Sequence, residues 1–257
     1  NIGISTRSTP ATYTKVFDTI REVFAQTQAS RQLGLRPGYF SFNVPGGRCD
    51  VCEGEGYVTV DMQFLPDVRL VCEPCGGTRY KKEARNIYYN GKNIVDVLNM
   101  TVDEAAVFFY DHPKIVNKLG ILQKVGLGYL KLGQSSSMLS GGESQRIKLA
   151  THLDSSVEGH TLFIFDEPTT GLHLDDISKL LTAMQELVEQ GHSVVVIEHN
   201  LHIIAAADWI IDLGPEAGEL GGRIVAEGPP ERIAKAKNSH TGEYLRKFFE
   251  NEYGLSL

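Results

Sequence analysis

Leu139-Ser140-Gly141-Gly142-Glu143, followed downstream by Thr161-Leu162-Phe163-Ile164-Phe165-Asp166-Glu167, decides how this chain is read. Ser140 can cap a helix, and Glu143, three residues on, can close a capping box, while the two glycines let an anion approach the backbone. Free N–H groups at such a helix start attract phosphate. The apolar run from Leu162 to Phe165 predicts a strand buried on both faces, as in a parallel sheet, with Asp166 and Glu167 emerging at its carboxyl end. Ligands bind at that edge in open α/β sheets.

Two acids at one strand end can divide labour. Asp166 suits Mg²⁺ held through its water shell, and Glu167 suits the orienting or deprotonation of an attacking water. Ser193 to Ile197 is nearly continuous β-branched sequence and predicts a second strand, ending in Glu198-His199, that brings His199 to the same edge. Taken singly, each piece is ordinary: Ser-Gly-Gly is usually a turn, and a lone histidine is more often structural than catalytic. The order and spacing of all three carry the reading.

A phosphate-binding loop requires Gly, four residues, then Gly-Lys-Ser/Thr, and this chain contains no such run. Gly91-Lys92-Asn93 comes nearest, without the hydroxyl residue or the upstream glycine. The first residue is Asn1 rather than Met, so the expectation is a C-terminal piece of a longer polypeptide, with the loop upstream and with hydrolysis beyond this fragment alone.

All four cysteines fall in one short region, as Cys49-x2-Cys52 and Cys72-x2-Cys75 with nineteen residues between the pairs. That spacing fits a tetrahedral structural Zn²⁺ site on two knuckles, and Gly54, Gly56, Gly76 and Gly77 supply the positive φ that knuckles require. Two disulfides are the rival, disfavoured in a chain long enough to bury its own core and without a secretion signal. Between the pairs, residues 57–64 and 68–71 flank the turn Leu65-Pro66-Asp67 and predict a β-hairpin held at its base by metal. Arg48, Arg69, Arg79, Lys81, Lys82 and Arg85 surround it, together with Tyr57, Phe64 and Tyr80. Such a rim could follow a phosphate backbone and stack on bases, or be a solvated surface around a structural metal; the residues alone weigh these equally.

At 257 residues, 42% hydrophobic and with a formal charge of -7, the chain can form one large or two modest cores, and any nucleic-acid contact must be local. No apolar run is long enough to span a bilayer and no signal peptide is visible, so the cytoplasm is expected, where thiols stay reduced. The pattern divides into residues 1–133, mainly helical with a zinc module at about 46–82, and residues 134–257, alternating strands and helices. The fold class is therefore α/β: a layer of parallel sheet and helices, truncated at its upstream side and preceded by a mainly helical part carrying a zinc-bound hairpin. Helical spacing of Val16, Ile20, Val23 and Phe24 predicts a helix over 12–28, and Thr101 with Glu104 predicts a second capping box.

These motifs together resemble the ATP-binding cassette (ABC) ATPases. Residues 139–143 are similar to the family signature, Asp166-Glu167 to the Walker B aspartate and adjoining glutamate, Leu172-His173-Leu174-Asp175 to the D-loop, and His199 to the switch histidine. The resemblance implies that Ser140, Gly141 and Gly142, at the helix start closed by Glu143, face the γ-phosphate of ATP held mainly by another half. It implies that Asp166, Glu167 and His199 serve the nucleotide of their own half. Tyr39-Phe40-Ser41-Phe42-Asn43-Val44, Phe64-Leu65-Pro66-Asp67-Val68 and Glu198-His199-Asn200-Leu201 narrow the resemblance to the damage-recognition ATPases of the bacterial excinuclease system, over essentially the whole chain. That branch implies ATP, Mg²⁺ and Zn²⁺ as cofactors, and DNA binding in nucleotide excision repair within the SOS response. Its partners would be double-stranded DNA, especially damaged, a UvrB-like helicase and a second copy in a homodimer. The alternatives are a non-catalytic zinc module that binds nucleic acid or a partner on an ABC scaffold, or a paralogue serving antibiotic tolerance.

Overall fold

A computed structural model describes residues 7–62, 65–154, 159–214 and 221–254. The chain forms two compact units, Asn1–Glu158 and Gly159–Leu257. The helix that begins at Gly141 falls in the first.

In the first unit, α1 (Pro10–Tyr13), α2 (Val16–Ala25) and α3 (Gln28–Gln32) replace the single helix expected over 12–28. Lys15 adopts φ 59, which ends one helix and re-aims the next, and Thr27 caps α3 with its own side chain. The apolar stripe of α2 is buried as its spacing predicts, with Val16, Phe17, Ile20, Val23 and Phe24 all inside. Phe17 meets Phe42 at 5.3 Å and Phe24 meets Phe40 at 5.5 Å, so the Gly- and Pro-rich segment after α3 contributes to the core. Burial of each ring stabilises the unit by roughly 1.5–3 kcal/mol.

An antiparallel hairpin, β1 (Tyr57–Met62) and β2 (Leu65–Val71), pairs Tyr57 with Val71 and Val60 with Val68, and Leu65-Pro66-Asp67, expected as the turn, lies in β2 instead, with Leu65 opposite Met62. After it come α4 (Lys82–Arg85), the two-residue strands β3 (Tyr88–Tyr89) and β4 (Lys92–Asn93), α5 (Ile94–Asn99), α6 (Val102–Phe108), α7 (Pro113–Lys124) and α8 (Gly141–Asp154). The Thr101–Glu104 capping box forms in both directions, at 3.1 and 2.8 Å.

The second unit opens with β5 (Leu162–Asp166), α9 (Leu174–Glu189) and β6 (Ser193–Ile197), a right-length crossover joining two parallel strands in register from Leu162↔Ser193 to Asp166↔Ile197. α9 packs Ile177, Leu180, Ala183, Met184 and Leu187 inward. Contrary to expectation, β5 is not buried on both faces. Phe163 and Phe165 point into the core, while Leu162 and Ile164 are 55% and 65% exposed. Val195 and Ile197 of β6 continue that uncovered apolar face. After α10 (Leu201–Ala205), β7 (Ile210–Gly214) and β8 (Arg223–Gly228) pair antiparallel rather than extending the parallel order, and α11 (Pro230–Ile233) and α12 (His240–Tyr253) follow. No helix among the described residues is long and apolar enough to cross a membrane.

Candidate nucleotide edge and metal centre

The four cysteines meet. Their sulfurs all lie within 4.8 Å of one another, buried, with Cys49 to Cys72 at 3.9 Å and Cys52 to Cys75 at 3.7 Å. A Zn–S bond of ~2.3 Å places the thiolates of a tetrahedron roughly 3.8 Å apart, so the donor set fits one zinc ion. The cysteines are free of disulfides, as a shared metal requires. Backbone conformation holds the knuckles open: Gly54 and Gly56 take φ 85 and 82, and a Cβ on Gly54 would lie 1.9 Å from the Phe42 carbonyl oxygen. The Gly56 N–H donates to Cys52 Sγ at 3.3 Å.

The cations around this centre separate into two kinds. Arg48 lies 3.6 Å from Glu53, Lys81 pairs with Asp50 at 2.8 Å, and the Arg79 guanidinium sits 4.9 Å from the centroid of Phe42. Each of these three has a protein partner beside the cysteines. Arg69 on β2 and Lys82 at the start of α4 are exposed. Tyr57 is exposed as a stacking platform requires, whereas Tyr80 is fully buried and donates its hydroxyl to the Phe40 carbonyl at 2.7 Å, so it belongs to the core. Phe64 lies outside the described residues.

At the start of α8 the expected capping box is present: Glu143 N–H donates to Ser140 Oγ at 3.2 Å, and Ser140 N–H to Glu143 Oε2 at 2.7 Å. Ser140 and Gly141 are exposed and Gly142 is buried. The second Glu143 oxygen accepts from the Tyr129 hydroxyl at 2.7 Å, and Arg146 donates to that hydroxyl at 3.4 Å. Tyr129 carries no motif, which is why sequence reasoning passed over it.

In the second unit, the ends of the parallel pair bring Glu167 and His199 together, with His199 Nε2 3.6 Å from Glu167 Oε1. Glu167 N–H donates to the Ile197 carbonyl at 2.8 Å and the residue takes φ 45, which turns its side chain out of the strand line. Asp166 closes β5 on the exposed side of the pair. Beneath them lies Glu198, absent from the sequence-based site. Its carboxylate accepts from Thr169 N–H (2.9 Å), the Thr169 hydroxyl, His199 N–H (2.9 Å) and Asn200 N–H (3.1 Å). Burial works against its charge, but these hydrogen bonds outweigh it and hold the carboxyl below the ordinary glutamate range. Its position directly before His199 was the one available signal.

Among the described residues, then, stand a parallel strand pair with an acid and a histidine at its carboxyl edge, a Ser-Gly-Gly helix start and four converging cysteines, the features on which the likeness to ABC ATPases rests. No family model matches the chain. Over 251 residues it is 60% identical to UvrABC system protein A of Aquifex aeolicus, covering 98% of this chain and 27% of that protein. The counterpart from Clostridium perfringens is 57% identical over 247 residues, 96% of this chain and 26% of that protein. The crystal structure of UvrA2 from Deinococcus radiodurans superposes with a TM-score of 0.84 at 51% identity, over 96% of this chain and 30% of that one. The chain is thus homologous to UvrA along nearly its whole length and spans about a quarter of the length of those curated relatives.

Proposed function

We propose that this chain is the part of a UvrA-like ABC ATPase that joins a hydrolytic edge to a zinc-held DNA-binding hairpin, acting in recognition of damaged DNA during nucleotide excision repair. The observation that carries the proposal is the meeting of Glu167 and His199 at one strand edge, in a chain whose four cysteines also converge.

Each group has a role at neutral pH. Asp166 would hold Mg²⁺, which would supply charge neutralisation at the phosphates. Glu167 orients or deprotonates the attacking water, and His199, beside it, faces the γ-phosphate. Ser140 and Gly141 present a helix start to the γ-phosphate of a nucleotide held by another half, with Gly142 and Glu143 fixing the turn. Cys49, Cys52, Cys72 and Cys75 would hold Zn²⁺, which would supply a structural centre, and Arg69 and Lys82 meet DNA phosphates. The partners that follow are double-stranded DNA, a UvrB-like helicase and a second copy of the intact protein, in the cytoplasm.

With no Gly-x4-Gly-Lys-Ser/Thr run in its sequence, the 257-residue chain by itself is expected to release phosphate from ATP at the background rate. Restored to full length, as a chimera in which it replaces the matching quarter of the Aquifex aeolicus protein, it is expected to turn over ATP and to lose turnover on Glu167→Gln. Robust hydrolysis by the isolated chain, or a chimera indifferent to Glu167→Gln, contradicts the proposal.

A further inference from the structure

We propose that Glu198 is a positioning residue that ties the loop carrying Glu167 to the loop carrying His199, and thereby sets the geometry of the hydrolytic edge. The inference rests on the ATPase reading of those two groups.

Glu167 and His199 have side chains 56% and 84% exposed, so packing does not fix their separation of 3.6 Å. What fixes it is the backbone beneath each. Thr169, two residues past Glu167, is buried, and Asn200, one past His199, caps α10 by accepting from His202 N–H at 3.0 Å. Glu198 spans the two. One carboxylate oxygen takes both donors of Thr169, and the other takes the consecutive N–H groups of His199 and Asn200. Four donors occupy the four lone-pair sites of an ionised carboxylate, which leaves Glu198 no capacity to bind metal or move a proton itself. Hydrogen bonds to a charged acceptor are about twice as strong as neutral ones, so this one group is the firmest side-chain link between the loops. Besides the exposed Glu167–His199 contact itself, the Glu167 N–H donates to the Ile197 carbonyl at 2.8 Å, which fixes the end of the ladder and not the turn beyond it.

Glu198→Gln tests this with little change of shape. The amide keeps an oxygen for Thr169 but turns an NH₂ toward two N–H groups. In the 257-residue chain, amide exchange at His199 and Asn200 is expected to accelerate by about tenfold or more, with the β6 interior amides unchanged. In the full-length chimera, kcat is expected to fall about tenfold while KM for ATP stays within about twofold, the pattern of a group that acts on the chemical step rather than on binding. Unchanged exchange at both amides overturns the inference. So does an unchanged kcat in a chimera that Glu167→Gln silences. A chimera that ignores Glu167→Gln instead removes the ATPase reading beneath it, so the two failures are distinguishable. If Glu198→Gln does not fold, Thr169 gives the same answer: Thr169→Ser keeps the hydroxyl donor and kcat, Thr169→Val loses both, and equal rates for the two overturn the inference.

Discussion

At the residue scale, two carboxylates separated by thirty-one positions show how environment assigns roles. Glu167 stands exposed beside His199, free to meet a ligand, whereas Glu198 is consumed by four donors. Those bonds hold the Glu198 carboxyl below the ordinary glutamate value of 4.5, despite the burial that works against it. A carboxyl depressed in the folded state contributes stability that is present above its unfolded value and lost as pH falls through the folded one. Protection factors of the Thr169, His199 and Asn200 amides, each taken against the intrinsic rate at the same pH, are therefore expected to hold above pH 4.5 and to fall as pH drops below it, and protection factors that stay constant there would contradict the clamp. The cysteines give a second residue-scale expectation. One zinc per chain should be found by metal analysis, and Cys72→Ser should leave a three-thiolate site that loses the ion during dialysis; retention of full stoichiometry would show that the metal is held elsewhere.

At the element scale, the hairpin and the parallel pair were both legible in the sequence, for different physical reasons. Alternation between two cysteine knuckles announced β1 and β2, and two β-branched or aromatic runs with acids at their ends announced β5 and β6. What the sequence did not convey was which faces are covered. Leu162 and Ile164 read as core because they are apolar, but a face is buried only if another element packs on it, and within the described residues none does. Arg48, Arg79 and Lys81 were equally ambiguous, since a cation in a knuckle can brace the fold or meet a ligand. In the structure Arg48 pairs with Glu53, Lys81 pairs with Asp50 and Arg79 stacks on Phe42, contacts that a bracing cation and a phosphate-binding one both make. Reversing Arg69 or Lys82 is expected to weaken duplex binding several-fold and to flatten its dependence on salt by about one ion per residue, with the fold intact. Arg79→Glu should instead unfold the knuckle. Unchanged affinity after both Arg69→Glu and Lys82→Glu would move the hairpin from DNA to a protein partner.

At the scale of the whole molecule, the chain has a helical unit carrying a hairpin between two cysteine pairs and an α/β unit whose strand edge brings Glu167 and His199 together. Composition allowed one large or two modest cores, and the chain divides into two units. The boundary expected at 133/134 and the division after Glu158 differ by the stretch that carries α8, because α8 packs against α7 of the first unit and a sequence pattern does not show which neighbour a helix packs on. A UvrA-like role requires that nucleotide and DNA bias the same pair of conformational states, since two sites on one chain are not coupled merely by sharing it. The most direct test is the affinity of the full-length chimera for damaged and intact duplexes of one sequence, at one salt concentration, with and without ATP. A preference for the damaged duplex that ATP changes, and that Glu167→Gln alters, is the predicted result. Equal affinity for both duplexes, unmoved by nucleotide, would contradict it.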